Sequence, residues 1–496
     1  MRTPPLGNVL LGAHSQYRGL LTALAGTLQE RFGARVHLFC ASRQEAHFYR
    51  TRFGSIFASI TVADLLYRTC AEPVDDGQGV FAEARDNEAW LGVTINLLAI
   101  SDRHLGRGYA LGGFKHPRSV MSQRTNYAQM VNAHNAAIAF WRRHIEETDA
   151  DLLINCGKIA DTVAGALGVP RRILAGSRFR NYHYWATSEF REHPALAAAY
   201  DRIGAPDDLS LLAPYESHLQ MRQVFTRQYT LSGTLQTMAK RAAQQAYWRL
   251  RGYDKARGYY VTEDLSYVWR RFRDARRLAD AASTPLAALS GRRFVYYPLH
   301  TEPETALQTL SPEYFYQLSA IAALSRDLPA GVLLAVKETL AAIGRRPTDF
   351  YAQIREFKNV VMLDPREYGL EVARAADAVA TITGTGGFEA AVMGRPVISF
   401  GRHNLYNLLP HVAVVEDELD LAGQLRHALD GVDRVQAKRD GARFLQAVVE
   451  TSFDLGGYRV TEPDVLPTGL ADTVADALIR SLPTSDATAG AAVEAV

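Results

Sequence analysis

The stretch TITGTGGFEAAVMGRPVISFG, residues 381–401, decides the fold of this chain. An apolar run from Ala378 to Thr383 stops at a glycine cluster, and a short amphipathic segment then leads to Gly394-Arg395-Pro396. A second apolar run follows, from Val397 to Phe400. Apolar runs bounded by glycine and proline, with a helical period between them, predict a strand, a loop, a helix, a turn and a strand.

A helix that starts at such a loop can bind phosphate, because its first N–H groups lack intrahelical acceptors and carry partial positive charge. Gly384, Gly386 and Gly387 allow close approach of the backbone, and Thr385 can cap the helix or bond an oxyanion. Glu389, in the first turns, can accept both hydroxyls of a ribose. The alternative is a tight turn followed by a surface glutamate.

Strands and helices alternate on both sides of this stretch, which is typical of parallel α/β sheets. We therefore expect an α/β protein with two Rossmann-like domains that face a cleft, and ligands at the carboxyl ends of the strands. The strands are predicted at residues 8–13, 35–40, 151–155, 171–175, 293–297, 332–337 and 360–363.

Residues 211–285 carry no strand signal, and their arginines and lysines alternate with aromatic residues. This pattern predicts a basic helical hairpin with its turn near Gly252 to Gly258. It is either a solvated insertion whose long side chains lie over the domain, or a surface that faces anionic headgroups or a polyanionic glycan. The predicted segments are an N-terminal Rossmann-like domain (1–210), this hairpin (211–285), a C-terminal Rossmann-like domain (286–475) and a disordered tail (476–496).

Composition limits the classes of function. The formal net charge of +2 over 496 residues gives no reason to expect a nucleic-acid partner. Cys40, Cys70 and Cys156 lie far apart and form no CxxC motif, which favours reduced thiols in the cytosol. No signal peptide or apolar span is evident, so a cytoplasmic protein is expected, peripheral on the inner face of the membrane if the hairpin binds lipid.

The pattern E-A-x-x-x-G-x-P-V, from Glu389 to Val397, resembles the donor-nucleotide motif of GT-B glycosyltransferases. The longer string GTGGFEAAVMGRPVISFG, with Tyr406 and Pro410 downstream, resembles the capsule polysaccharide biosynthesis family. That family includes transferases of Kdo, an acidic keto-sugar carried on CMP. Three further patches match it: PLHTEPE (298–304), LLAVKETLAAIGRRP (333–347) and FKNVVMLDP (357–365).

The resemblance implies a GT-B glycosyltransferase that works without a metal or another cofactor. It would move a sugar from a CMP- or UDP-linked donor to a bacterial surface polysaccharide or its lipid-linked precursor. Many relatives have a His-Pro pair after the lysine that ends a strand, whereas here Lys337-Glu338 is followed by Thr339-Leu340. Either Lys337 supplies the positive charge instead, or it forms an ion pair with Glu338 that only stabilises the end of the strand. The implied donor-binding residues are Gly384, Thr385, Gly386, Gly387, Glu389, Lys337, Glu338 and Tyr406.

Glycosyl transfer needs a carboxylate near the anomeric carbon, either as a base or as a nucleophile. The segment HTEPE follows a predicted strand and offers two carboxylates beside a histidine. Glu304 is the first candidate and Glu302 the second, with one of them expected to face the cleft, and His300 is expected to position the donor. The alternative is that these carboxylates cap the next helix.

Candidates for acceptor binding lie in three loops of the N-terminal half. His14, Gln16 and Arg18 follow the first predicted strand, Lys158 follows the strand at 151–155, and Arg178 follows the strand at 171–175. Arg178 can pair with an acidic sugar or a phosphate. Solvated surface arginines and a structural histidine are the alternatives.

Two other functions are compatible with the same pattern. A sugar-nucleotide epimerase shares the two-domain scaffold, and a non-catalytic glycan-assembly subunit could keep the fold without the chemistry. The basic hairpin favours a transferase, because an epimerase needs no large acceptor surface. The missing His-Pro pair keeps the non-catalytic alternative open.

Overall fold

A computed structural model describes residues 6–102, 125–204, 209–212, 229–251, 261–281, 284–302, 304–347 and 349–483. The chain forms two compact units. The first unit contains Met1–Leu98, Thr125–Leu196 and Val448–Val496, and the second contains Ala99–Arg124 and Ala197–Ala447. The expected turn of the hairpin and the last thirteen residues lie outside the described residues.

Thirteen strands are found in the part of the chain that the structure describes. They are β1 Asn8–Gly12, β2 Arg35–Cys40, β3 Ser59–Val62, β4 Leu152–Ile154, β5 Arg171–Gly176, β6 Tyr182–Ala186, β7 Phe294–Pro298, β8 Leu333–Lys337, β9 Val360–Leu363, β10 Ala378–Thr381, β11 Val397–Ser399, β12 Val412–Val414 and β13 Phe453–Asp454.

The α-helices are α1 Arg18–Phe32, α2 Arg43–Phe53, α3 Leu65–Thr69, α4 Gly77–Leu91, α5 Ile95–Ser101, α6 Tyr127–Thr148, α7 Lys158–Ala166, α8 Pro194–Arg202, α9 Leu231–Leu250, α10 Val261–Ala281, α11 Thr305–Leu310, α12 Leu318–Asp327, α13 Phe350–Glu356, α14 Gly369–Ala375, α15 Thr385–Val392, α16 Leu421–Asp430, α17 Arg434–Thr451 and α18 Leu470–Ser481. Among the described residues, no helix is both long and apolar enough to span a bilayer.

The sheet of the first unit has the order β13-β6-β5-β4-β1-β2-β3. Strands β1 to β5 are parallel, whereas β6 and β13 add to the edge in antiparallel fashion. The chain runs outward from β1 in one direction and from β4 in the other, so the order reverses between these two strands. Ligands of open α/β sheets bind outside such a reversal, at the carboxyl ends of the strands.

The sheet of the second unit has the order β12-β11-β10-β7-β8-β9, and all its strand pairs are parallel. Its order reverses between β7 and β10, so the loops that follow these two strands meet at one point. The strands are nearly continuous apolar runs, and their side chains are buried on both faces of the sheet. Such burial on both faces is typical of parallel sheets. The expected α/β class with two Rossmann-like units is confirmed.

The C-terminal segment belongs to the first unit, which corrects the domain boundaries expected from the sequence. Strand β13 pairs with β6, so residues 453–475 do not extend the predicted C-terminal domain. Helix α18 packs into the core of the first unit through Val474 and Leu478, and Trp185 Nε1 donates to the Val474 carbonyl at 3.1 Å. The predicted tail therefore cannot begin at 476, because the helix continues to Ser481.

The predicted hairpin at 211–285 is helical in its described parts. Helices α9 and α10 pack against each other, and Arg271 lies 5.2 Å from the ring centre of Tyr229. Leu231, Leu235 and Leu250 remain largely exposed on α9. The hairpin thus presents apolar side chains to solvent beside its arginines, a combination that composition alone did not indicate.

Candidate active site

One histidine connects the two loops that meet at the reversal point of the second sheet. His300 follows β7, and its Nε2 accepts a hydrogen bond from the Thr383 backbone N–H at 3.0 Å, in the loop after β10. Its Nδ1 therefore carries the proton and donates to Gln317 Oε1 at 3.1 Å. Since both ring nitrogens are engaged, His300 fixes the two loops relative to each other.

A buried arginine lies beneath these loops. Arg346 donates to both carboxylate oxygens of Glu338 at 2.8 Å, and its Nη1 lies 3.1 Å from Glu302 Oε2. Its Nη2 also donates to the His300 carbonyl at 2.6 Å. Burial alone lowers the pKa of Arg346, but the charges of Glu338 and Glu302 outweigh it, so the pKa is raised and the guanidinium stays charged. This cluster stabilises the loop after β7 from below.

The alternation of side chains along β8 places two neighbouring candidate residues, Lys337 and Glu338, on opposite faces of the sheet. Successive side chains of a strand point to opposite faces of its sheet. Glu338, directly after β8, binds Arg346 on one face and also accepts from the Tyr351 hydroxyl at 2.7 Å. Lys337 lies on the other face, where its Cε is 3.7 Å from the position that a Cβ on Gly369 would take. Only Lys337 lies on the face of the sheet that carries α15.

The glycines of the loop and of α15 are required by contacts inside the protein. A Cβ on Gly384 would lie 2.9 Å from His300 Nε2, and one on Gly386 would lie 3.1 Å from Pro298 Cγ. A Cβ on Gly387 would lie 2.3 Å from Thr381 Cγ2. These close approaches bring the start of α15 against the ends of β7 and β10, while the Thr385 side chain remains exposed.

Glu389 is half-buried one turn into α15, which packs against α14, the helix that Gly369 begins beside Lys337. Burial raises the pKa of Tyr296, and the charge of Glu389 raises it further. The pKa of Tyr368 is raised in the same way, first by burial and then by Glu389. The negative charge of Glu389 therefore acts on two tyrosine hydroxyls, one turn into a helix whose first amides have no intrahelical acceptor.

Glu304 and Glu302 differ in their surroundings. Glu304 is exposed and lies at the N-cap position of α11, yet its side chain makes no capping hydrogen bond. Glu302 is 2% exposed and accepts from Gln317 Nε2 at 2.7 Å in addition to its pairing with Arg346. Of the two carboxylates, only that of Glu304 is presented to solvent.

Four predicted roles in the second unit need correction. Glu302 and Glu338 are committed to Arg346, so neither is available as a catalytic or nucleotide-binding carboxylate. His300 uses both ring nitrogens within the protein and cannot position a donor directly. Tyr406 is 1% exposed, packs against Phe388 and lies beneath α15, so it supports the helix rather than contacting a nucleotide.

In the first unit, His14, Gln16, Lys158 and Arg178 all lie in loops or helix starts at the carboxyl ends of the parallel strands. The Gln16 carbonyl accepts from the Tyr458 hydroxyl at 2.9 Å, and its side chain is exposed. Arg18 does not fit the predicted acceptor role. Its guanidinium forms a bidentate ion pair with Asp464 and lies 4.8 Å from the ring centre of Phe48.

Asp161, in the first turn of α7, carries a buried carboxyl group. It is 2% exposed, and its Oδ1 has no hydrogen-bond partner among the described residues. Burial raises its pKa to about 8, the charge of Glu189 adds to this, and Arg171 opposes it. No metal-binding group of three or more His, Cys, Asp or Glu side chains occurs in the described part of the chain.

Comparison with known proteins gives likenesses of fold. No family model matches the chain, and no curated protein matches its sequence. Similar solved structures include MurG from Acinetobacter baumannii, with 12% identity, a TM-score of 0.27 and coverage of 96% of this chain and 100% of that one. KpsC from Thermosulfurimonas dismutans, a beta Kdo 2,4 transferase, shares 12% identity with a TM-score of 0.29 over 59% of this chain and 79% of its own.

A third similar structure is the UDP-GlcNAc 2-epimerase from Neisseria meningitidis, bound to UDP-GlcNAc. It shares 8% identity with a TM-score of 0.23 and coverage of 96% of this chain and 100% of that one. Similarity at this level carries no inference about substrate. Any functional conclusion for this chain must therefore come from its own residues.

Proposed function

We propose that this protein is a glycosyltransferase that takes a sugar from a nucleotide-linked donor, with CMP-Kdo among the candidate donors. The acceptor would be a growing bacterial surface polysaccharide or its lipid-linked precursor. The observation that carries the proposal is that Lys337 and Glu389 lie on one side of the second sheet. Lys337 Cε and the Tyr296 hydroxyl lie 3.7 Å and 3.3 Å from the position that a Cβ on Gly369 would take, and the charge of Glu389 acts on that hydroxyl. That combination supplies a ribose acceptor, a cation and helix amides for phosphate.

Each of these groups would bind a different part of the donor nucleotide. The amides at the start of α15 and the Lys337 ammonium would stabilise the phosphate that leaves, which removes the need for a metal ion. The Glu389 carboxylate would accept the ribose hydroxyls. The loop after β8 carries Thr339 and Leu340 in place of an imidazole, and the Thr339 N–H donates to Glu338 at 2.7 Å. Lys337 would therefore supply the positive charge that an imidazole does not supply here.

Glu304 is proposed as the carboxylate that acts at the anomeric carbon. It is exposed, it follows β7 at the reversal point, and Arg346 holds the preceding loop from below. A base in this position takes the proton of the acceptor hydroxyl as that oxygen attacks. Glu302 cannot exchange roles with it, because its carboxylate is buried against Arg346.

Nucleotide binding tests the proposal directly. Calorimetric titration with CMP, CDP, UDP and GDP is expected to give binding by one of them, and Glu389→Ala should weaken it about tenfold or more, since charged hydrogen bonds to two hydroxyls are lost. Glu304→Gln is the matched variant, because it changes a carboxylate that contacts no nucleotide. It should bind normally but lose about a hundredfold in transfer rate.

The same experiment separates the alternatives. Binding of no nucleotide by the parent protein would reject the donor site and favour a non-catalytic subunit. Binding of UDP together with interconversion of a UDP-sugar in the absence of acceptor would favour an epimerase. Unchanged transfer by Glu304→Gln would remove Glu304 from the mechanism while leaving the donor site in place.

We also propose that the hairpin of α9 and α10 faces an anionic membrane where the lipid-linked acceptor resides. Leu231, Leu235 and Leu250 on α9 are at least half exposed. Such leucines beside arginines are typical of helices that lie in a membrane interface. Flotation with phosphatidylglycerol vesicles should recover the protein, whereas Leu235→Gln with Leu250→Gln should not float. Equal flotation of both proteins would refute this role for α9.

A further inference from the structure

Two tyrosines of the hairpin bind the loop of residues 338–346 that follows β8, the β8 loop. Tyr229, just before α9, donates its hydroxyl hydrogen to the Leu340 carbonyl. The same hydroxyl accepts a hydrogen bond from Arg271 Nη2 of α10 at 2.8 Å. In addition, Arg345 Nε donates to the Tyr267 hydroxyl of α10 at 2.9 Å. The hairpin therefore bonds to both the backbone and a side chain of the β8 loop, and all of these residues belong to the second unit.

Gly344 brings the β8 loop directly against the backbone of α10. A Cβ at this position would lie 2.7 Å from Arg271 Cα and 2.5 Å from Arg271 Cγ, a separation at which the atoms would clash. Its φ is 81°, a conformation that glycine adopts without strain. Because only a residue without a side chain allows this approach, the position of the β8 loop depends on the position of α10.

Helix α10 is anchored in the core of the second unit. Leu278 is 1% exposed and lies in the same buried cluster as Val336 of β8. Tyr267 and Phe272 are also buried on this helix. A helix packed in this way can position a loop, because close-packed interiors transmit a displacement rather than absorb it.

The β8 loop connects α10 to the candidate donor site through Arg346, the residue after Arg345. Arg346 Nη2 donates to the His300 carbonyl at 2.6 Å, and Nη1 lies 3.1 Å from Glu302 Oε2. His300 Nε2 in turn accepts from the Thr383 N–H at 3.0 Å, just before α15. A series of contacts, joined by the peptide bond between Arg345 and Arg346, therefore runs from α10 to both loops of the site.

We propose that Tyr229, Tyr267 and Arg271 are positioning residues of the donor site, which act through the β8 loop and Arg346. This inference rests on the proposed transferase function and gives the hairpin a role inside the second unit. The three side chains would not contact the nucleotide. They would fix the loops that lead to Glu304 and to α15, and a misplacement of about 1 Å at a reacting site can reduce a rate about a hundredfold.

One substitution would separate the β8 loop from α10. Gly344→Ala adds a Cβ that meets the backbone of α10. Gly331→Ala is the matched control, because Gly331 has a φ of 83° and, among the described residues, no atom lies within 4 Å of its Cβ position. Both variants carry the same backbone strain, but only Gly344→Ala displaces the helix.

Hydrogen exchange of the full chain, read by mass spectrometry, would follow the segments 295–302 and 381–387. We expect both segments to exchange about tenfold faster in Gly344→Ala than in Gly331→Ala. The reason is that the His300 amide, which donates to Gln317 Oε1 at 2.6 Å, and the Thr383 amide would lose their fixed partners. Equal exchange in the two variants would show that α10 does not position these loops and would overturn the proposal.

Removal of the two hydroxyls tests the same connection without a change in the backbone. The variant Tyr229→Phe with Tyr267→Phe keeps both rings, and Tyr314→Phe is the matched control, because the Tyr314 hydroxyl donates to Glu418 Oε1 at 3.2 Å, outside the β8 loop. Calorimetric titration with CMP, CDP, UDP and GDP gives the affinity of the folded molecules separately from their number. We expect the double variant to bind the parent's nucleotide about tenfold more weakly, and the control to bind it normally.

The two measurements separate a failure of this inference from a failure of the proposed function. Faster exchange together with weaker nucleotide binding supports the positioning role. A lower melting temperature with unchanged affinity of the folded protein would make the tyrosines merely structural and overturn that role, whatever the exchange rates. A parent protein that binds none of the four nucleotides would reject the transferase and, with it, a donor site for the hairpin to position.

Discussion

Replacing Arg346 with methionine is expected to destabilise the second unit by about 3–5 kcal/mol. The Arg346 guanidinium and the carboxylates of Glu302 and Glu338 are nearly fully buried. Removing the guanidinium leaves two buried anions without their cation. The methionine would fill much of the volume against Phe350, whose ring centre lies 4.9 Å from the guanidinium. The expected loss therefore comes from charge rather than from packing.

Urea unfolding followed by circular dichroism would measure this loss. Arg366→Met is the control, because Arg366 pairs with Asp364 on the surface with 67% of its side chain exposed, and such pairs contribute at most about 1 kcal/mol. Combining Arg346→Met with Glu302→Gln and Glu338→Gln should recover much of the stability by removing the unpaired charges. If the triple variant is no more stable than the single one, charge is not the cause.

Asp161→Asn is expected to flatten the pH dependence of the stability of the first unit. The pKa of Asp161 rises from 3.8 to about 8 on folding, mainly through burial. The folded state therefore binds a proton that the unfolded state has released, so stability falls as pH rises between these two values. Each pH unit in that interval removes about 1.4 kcal/mol, or about 4 kcal/mol between pH 4 and pH 7.

The asparagine variant does not titrate, so it should be less dependent on pH and more stable than the parent at pH 7 to 8. Urea midpoints at pH 5, 6, 7 and 8 would measure this difference. Asp472→Asn is the matched control, because Asp472 also lies in the first turn of a helix but its side chain is 64% exposed. Parallel pH profiles for the parent and Asp161→Asn would show that this carboxyl does not stay protonated in the fold.

The parallel part of the fold could be predicted because it has a strong local pattern. Strands β2 and β9 begin and end where their apolar runs do, and the glycine loop before α15 marks the end of β10. The antiparallel edge could not be predicted in the same way. Strand β13 is two residues long and pairs with β6 across more than 260 positions, which no local pattern shows.

The loops that form the candidate site could be predicted from the sequence, but the contacts of their side chains could not. The motif around Glu389 and the segment from His300 to Glu304 identified the loops that meet at the reversal point. Which carboxylate faces solvent depends on Arg346 and Gln317, which approach from other parts of the chain. Arg346 lies in an Arg-Arg-Pro sequence with no periodicity, so nothing local indicated that it is buried.

The return of residues 453–481 to the first unit sets the order in which this protein can mature on the ribosome. The second unit is almost contiguous and has left the exit tunnel while the first still lacks β13 and α18. Until α18 emerges, the apolar side of α1, with Leu20 and Leu24, lacks the helix that covers it in the folded protein. Synthesis therefore leaves the first unit incomplete until residues 453–481 have emerged, a period in which chaperones and proteases compete for it.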